Sequence, residues 1–283
     1  MTPTDLTITP RDRRFGRDRA RGRHWLNNDP IATAFFNALS ITFPRGEAFF
    51  IDSVRAFRDD VPTKLAGEIA AFIRQEVVHG REHLAFNRQM TDQGYDVSRL
   101  DDDVTLVLDL AYGRPPIVRL AATMALEHFT AILAHELLRD PSHLDGADPE
   151  LAALWRWHAV EEIEHKGVAH DTWVHATRDW TRFKRWWVRT LMMLIVTRHF
   201  LHHRARGMMD LLRQDGITDG RAWGGLLRYA LVRPGILRRI ALPWAGYFLP
   251  GFHPWAVDDR ALIALPDTPY ADARVTGDIV SPA

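Results

Sequence analysis

The sequence predicts an all-α protein, a helix bundle with a helical extension packed on it. Three observations carry this. Several long segments repeat apolar residues at helical spacing. No stretch alternates as a strand would, and no short internal repeat is present. Pairs of Glu and His three residues apart recur inside the periodic segments, and on a helix that interval puts both side chains on one face.

The elements follow in order. The first helix is expected over residues 30–57, interrupted near Pro44, because proline lacks the N–H the helix needs. The second starts at Pro62, a good first helical position, and ends before Gly94. A shorter helix is expected over 103–112, closed by the turn Gly113-Arg-Pro-Pro116. A third long helix runs on to about Arg139, and Asp140-Pro-Ser-His-Leu-Asp-Gly146 is a loop. The fourth is expected over 149–178 and a fifth over 180–215, before a tail rich in Trp, Pro and Gly. This divides the chain into a flexible basic arm (1–28), a four-helix bundle (29–179) and a helical extension (180–283).

Composition narrows the function. The 46 % apolar content supports a sizeable core, and a formal net charge of zero argues against a general nucleic-acid binder. The absence of cysteine excludes disulfides, thiolate zinc sites, iron–sulfur clusters and a cysteine nucleophile. It fits a reducing cytoplasm, and the N-terminus reads as basic rather than as a signal peptide. The most apolar run, residues 191–197, is too short for a membrane span. The expected location is therefore cytoplasmic.

The chemistry lies in His158-Ala-Val-Glu-Glu-Ile-Glu-His165. His158, Glu162 and His165 are spaced four and then three apart, so a helix gathers them on one face. Imidazole and carboxylate together suit iron, manganese and zinc. Three more motifs fall on the other long helices. Glu47 sits between Phe43-Pro-Arg-Gly46 and an apolar run. Glu76 and His79 form a Glu-x-x-His pair. Glu127 lies in the apolar context Ala125-Leu-Glu-His-Phe-Thr-Ala131. One Glu from each of two helices and Glu-x-x-His from each of two others is the dimetal pattern of four-helix bundles. Four carboxylates offset the charge of two divalent ions, so such a buried site is close to neutral. The competing reading is a set of solvated, charged helix faces.

Neighbouring residues need sorting. His83 is expected beside the ligands, supporting one of them. Glu162 is preferred over Glu161 because it completes Glu-x-x-His. Glu82 is expected at the surface, and Glu164 outward or paired with a base. His128 and the Trp cluster read as packing, and His199, His202 and His203 as a solvated basic helix end. Between Trp180 and Leu212 the only acid is Asp210, and between Arg221 and Val257 there is none. Two readings stand for this basic third: contact with a membrane surface or an anionic, acyl-bearing substrate, or an outer face balancing an acidic bundle.

Two resemblances add to this. His158-x-x-x-Glu162-x-x-His165 resembles the fourth-helix motif of the p-aminobenzoate N-oxygenase type of di-iron enzyme. Those enzymes carry three His and four carboxylates in the chain order of Glu47, Glu76, His79, Glu127, His158, Glu162 and His165. More broadly, four strings are similar to the bacterial family described as predicted metal-dependent hydrolases: Ala38-Leu-Ser-Ile-Thr-Phe-Pro44, Gln75-Glu-Val-Val-His-Gly-Arg-Glu-His83, Ala125-Leu-Glu-His-Phe-Thr-Ala-Ile-Leu133 and the stretch around His158. Pro250-Gly-Phe-His-Pro-Trp255 fits that family too. The family usually has Phe where this chain has His170.

These resemblances imply a ferritin-like helical fold and a non-haem di-iron oxygenase or oxidase. It would hold two iron ions, with manganese or zinc as substitutes, and oxidise a small organic substrate with O2 and electrons from a donor or reductase. The alternatives are a dimetal hydrolase with a metal-activated water, and a non-enzymatic metal-binding bundle. An apolar channel lined by Phe43, Phe50 and Phe129 would favour oxidation, and a polar cleft open to water would favour hydrolysis.

Overall fold

The structure is a computed structural model, and it describes residues 2–16 and 22–264. Among the described residues there is no strand, only an isolated bridge between Leu26 and Ala147. The chain is all-α, as the periodicity predicts. Helix α1 spans Pro30–Arg55, α2 Thr63–Asp92, α3 Ser98–Tyr112, α4 Pro116–Arg139 and α5 Pro149–His165. Then follow α6 (Val168–Ala176), α7 (Arg182–Gln214), α8 (Asp219–Leu227), α9 (Ile236–Gly246) and the short α10 (Arg260–Ile263).

Local chemistry explains the starts. Asp29 caps α1 by accepting the N–H of Ile31 and Ala32, with Pro30 in the first position. Asp148 does the same for α5 through Glu150 and Leu151, ahead of Pro149.

Helix α1 does not stop at Pro44 as expected. Pro44 cannot donate to the Ser40 carbonyl one turn back. Asn87 of α2 supplies the missing donor, its Nδ2 reaching Ser40 O at 3.1 Å. The helix over 149–178 is, in contrast, broken at Lys166-Gly167 into α5 and α6. A Cβ on Gly167 would lie 2.5 Å from Thr2 Oγ1 and 3.1 Å from the Trp255 ring. The break lets the Trp255 segment approach the backbone closely, and the Lys166 ammonium sits over the Trp255 ring and bonds Asp259. Helix α3 starts at Ser98, earlier than the expected 103, because Asp96 accepts from the Ser98 N–H and hydroxyl.

The four motif-bearing helices pack together, α1 on α2 and α4 on α5, with α1 meeting α4 and α2 meeting α5. Helix α7 lies across α1 and α4, and α9 across α4. The region 180–264 therefore closes the bundle. Buried apolar residues form two clusters, one around Trp25, Phe36, Phe86 and Trp155, the other around Phe49, Phe72, Leu120 and Trp173. The polar centre lies between them: His83 packs on Trp155 and His165 on Phe72. One described helix, α4, is long and apolar enough to cross a bilayer, but it is a largely buried bundle helix and carries Glu127.

The segment expected as a flexible arm makes specific contacts over its described residues. Phe15 packs on Trp157, the Phe15 N–H reaches Glu82, and Arg11 reaches α5. Exposed large apolar side chains gather on the C-terminal helices, among them Phe183, Trp187, Leu194, Trp223 and Leu242.

Candidate metal centre

All seven predicted ligands converge. Glu47, Glu76, His79, Glu127, His158, Glu162 and His165 are each at most 3 % exposed. They divide into two half-sites. One holds Glu47, His79 and His158, and the other Glu127 and His165. Glu76 and Glu162 belong to both. Glu76 turns Oε1 to His165 Nε2 at 3.2 Å and Oε2 to His79 Nδ1 at 3.7 Å. Glu162 turns Oε1 to His158 Nε2 at 3.0 Å and to His79 Nδ1 at 3.6 Å, and Oε2 to His165 Nε2 at 3.5 Å. Each carboxylate thus offers one oxygen to each half-site, which is the geometry of a bridge between two cations.

Hydrogen-bond roles decide whether cations fit. Gln75 Nε2 donates to Glu164, so its Oε1 is free to accept from His165 Nδ1 at 3.0 Å. That leaves a bare lone pair on His165 Nε2. His79 Nε2 bonds Glu161 at 3.0 Å, leaving the lone pair on Nδ1. His158 is set by a longer chain. The Ser40 hydroxyl donates to Asn87 Oδ1 at 2.7 Å, so it accepts from His83 Nδ1 at 2.8 Å. His83 Nε2 must then accept from His158 Nδ1 at 2.8 Å, and His158 Nε2 is bare. The same Asn87 also bridges the gap made by Pro44.

All three imidazoles therefore aim lone pairs at carboxylate oxygens. No protein group satisfies either oxygen of Glu47, Glu76 or Glu127, nor His79 Nδ1 or His165 Nε2. Acceptors facing acceptors in a buried site are satisfied by protons or by metal cations held between them, and this cluster is a candidate for the latter. Nitrogen and oxygen donors without sulfur suit iron, manganese or zinc.

Electrostatics agree. Burial, reinforced by Glu76, holds the Glu47 carboxyl well above the usual range, and burial with Glu162 and Glu76 does so for Glu127. Burial works against the charge on Glu162, but His165 and His158 outweigh it and hold that carboxyl well below its usual value. Burial also opposes charge on His79, yet Glu161 and Glu76 raise its proton affinity well above normal. Burial lowers His158 to about 4, with His79 adding to the effect. His158 and His83 are thus neutral imidazoles at physiological pH, as metal ligation and its support require.

The surroundings contain residues that sequence reasoning misplaced. Glu161 lost the competition to be a ligand but holds His79, and it is itself held by Trp157 Nε1 at 3.1 Å and Arg11 at 3.2 Å. Glu164, in contrast, has the basic partner expected of it, Arg11 at 2.6 Å, and also bonds Gln75. Glu82, expected at the surface, is buried, because Arg81 and the Phe15 N–H satisfy it. Gly80 matters because a Cβ there would stand 3.2 Å from Glu47 Oε2. A Gly directly after a candidate ligand His was the available signal. His128 bonds the Pro243 carbonyl and is packing, as expected.

One cavity touches the centre, and a second shares part of its wall. The first, a small one of about 60 Å³, touches His158 and Glu162. A large one of about 640 Å³ lies between α1, α3, α4 and α7. Phe43, Thr130 and Phe200 belong to the walls of both. Phe43 and Phe50 line the large cavity, but Phe129 does not; it is buried and stacked on Phe200. His199 and His203, expected on a solvated helix end, also line it.

Fold and site together define a helical metalloprotein with a paired carboxylate–histidine centre. The chain belongs to the family described as predicted metal-dependent hydrolase, whose model matches residues 9–258. No curated protein and no solved structure matches it.

Proposed function

We propose that this protein is a dinuclear metal-dependent hydrolase acting on a substrate with a substantial apolar part. The observation that carries the reading is the sharing of Glu76 and Glu162 between two half-sites, supported by the family description. Glu47, His79 and His158 would hold one metal, Glu127 and His165 the other, with the two shared carboxylates between. Two adjacent divalent ions activate water and stabilise a leaving oxygen. The protein's own part is to aim three imidazole lone pairs, exclude bulk water and receive a proton. Glu127 has a second oxygen for the last role when its first holds the metal, since neither of its oxygens has a partner among the described residues. Phe43, Thr130 and Phe200 would separate the reacting end of the substrate from its apolar body.

One observation favours a second reading, a di-iron oxygenase or oxidase. The large cavity is lined mainly by Phe, Leu, Val, Ile and Met, which suits O2 and an organic substrate better than a water-open cleft would. In that case two iron ions and an external electron donor are needed.

One experiment separates the two. Metal-stripped protein is loaded with zinc, manganese or ferrous iron and given medium-chain acyl esters without oxygen. Ester cleavage with zinc or manganese, lost in Glu127→Ala, supports hydrolysis. No anaerobic cleavage with any metal, together with O2 uptake by the reduced ferrous form, overturns it in favour of oxidation.

A further inference from the structure

Arg204 is the one buried arginine of the large cavity wall, 7 % exposed. Among the described residues its Nη2 bonds the Thr42 hydroxyl at 3.3 Å, its guanidinium lies over the Phe200 ring, and its Nε has no partner. Burial lowers its pKa to about 9, with no described carboxylate raising it back. A buried guanidinium is ordinarily paired, because desolvating it alone is costly. The other buried cations here follow that rule: Lys166 has Asp259, and Arg189 has the carbonyls of Leu249 and Phe252.

The rest of the wall has matching character. Arg114, Arg119, His199 and His203 also line the cavity, and no acidic residue does. The remaining surface is largely aliphatic and aromatic, including Phe49, Phe50, Val107, Leu108, Met192 and Val196. A volume of about 640 Å³ falls within the roughly 300–1,000 Å³ of small-molecule sites. An apolar chamber with one buried cation that no described anion pairs is complementary to an amphiphile, an aliphatic chain ending in a single negative charge. A guanidinium fork matches a carboxylate by two parallel hydrogen bonds.

We propose that the cavity between α1, α3, α4 and α7 binds a medium- or long-chain carboxylate, with Arg204 gripping the head and the apolar wall holding the chain. This deepens the proposed function by naming the product class, the carboxylate that water releases together with an alcohol from an acyl ester, and rests on that reading only in assuming that the cavity serves the metal centre. The shared wall at Phe43, Thr130 and Phe200 is the reason for the assumption.

The test is calorimetric titration of the full chain, zinc-loaded and metal-stripped, with dodecanoate and dodecanol. The expected result is saturable binding of one dodecanoate per chain. Arg204→Met should weaken it at least about tenfold, the scale of a charged hydrogen bond, while dodecanol binding changes little. Val107→Trp, which fills the chamber and leaves Arg204 in place, should abolish binding of both and guards against misfolding of the Arg204 variant. Equal affinity of the wild type for acid and alcohol, undiminished dodecanoate binding in Arg204→Met, or no saturable binding overturns the proposal. Dodecanoate binding by a zinc- or manganese-loaded wild type that cleaves no ester would leave this cavity assignment standing and sink the hydrolase reading alone.

Discussion

His79 and His165 each commit one ring nitrogen to a neighbour, Glu161 and Gln75, and turn the other toward the shared carboxylates. That arrangement fixes the tautomer and ring angle before any metal arrives, so the supporting groups act on affinity through the ligands. Glu161→Gln is therefore expected to weaken metal binding by roughly 10–100-fold, read by competition with a chelator. Unchanged affinity would remove Glu161 from the centre. The pH response belongs to the same scale. Glu47 and Glu127 have raised carboxyl pKa values in the folded chain, against about 4.3 unfolded. Above that value the unfolded chain releases protons the folded chain retains, so metal-free stability falls as pH rises. Raised His79 works in the same direction, its contribution full below about 6.5 and lost above. His158, lowered to about 4, opposes them only up to about pH 6.5. The melting temperature of metal-stripped protein should thus decline above about pH 6.5, and zinc should reverse the trend. A profile that rises there would show these carboxyls to be otherwise satisfied.

At the scale of elements, the interest lies where helices break and where they do not. Pro44 reads from sequence as an interruption, yet α1 passes through it because Asn87 of α2 donates in place of the missing N–H. Lys166-Gly167 has no breaker stronger than one glycine, yet the helix ends there because Trp255 needs the space. Both outcomes depend on a partner from another element, which periodicity cannot report. Gly80 is a third case. Gly80→Ala should raise intrinsic helix propensity by about 1 kcal/mol, but its Cβ would press on Glu47 Oε2. Helix content and melting temperature should hold while metal stoichiometry drops from two toward one per chain, measured by elemental analysis. Two metals retained would show that Glu47 has room to shift.

At the scale of the molecule, the N-terminal segment and the C-terminal helices complete a centre that the bundle helices begin. Arg11 neutralises Glu161 and Glu164 from about 150 residues away in sequence. Arg11→Met would leave two buried carboxylates without their cation, at a cost on the order of 3–5 kcal/mol, seen as a lower denaturation midpoint. A midpoint within error of wild type would mean that the segment contributes nothing to folding.

The cluster of candidate ligands was legible because its information is local. Glu-x-x-His and His-x-x-x-Glu spacing is fixed by the helix repeat, so side chains that share a face do so whatever the helix packs against. Glu47, Glu76, His79, Glu127, His158, Glu162 and His165 all follow from that rule plus one Glu or Glu-x-x-His motif per long helix. The tertiary structure alone decided the rest: which carboxylates face both half-sites, that Glu82 is buried, that Arg11 is a counter-ion, and that Arg204 faces a cavity with no described acid beside it. Those are distances between separate elements, set by how helices pack, and residue spacing along one helix carries no record of them.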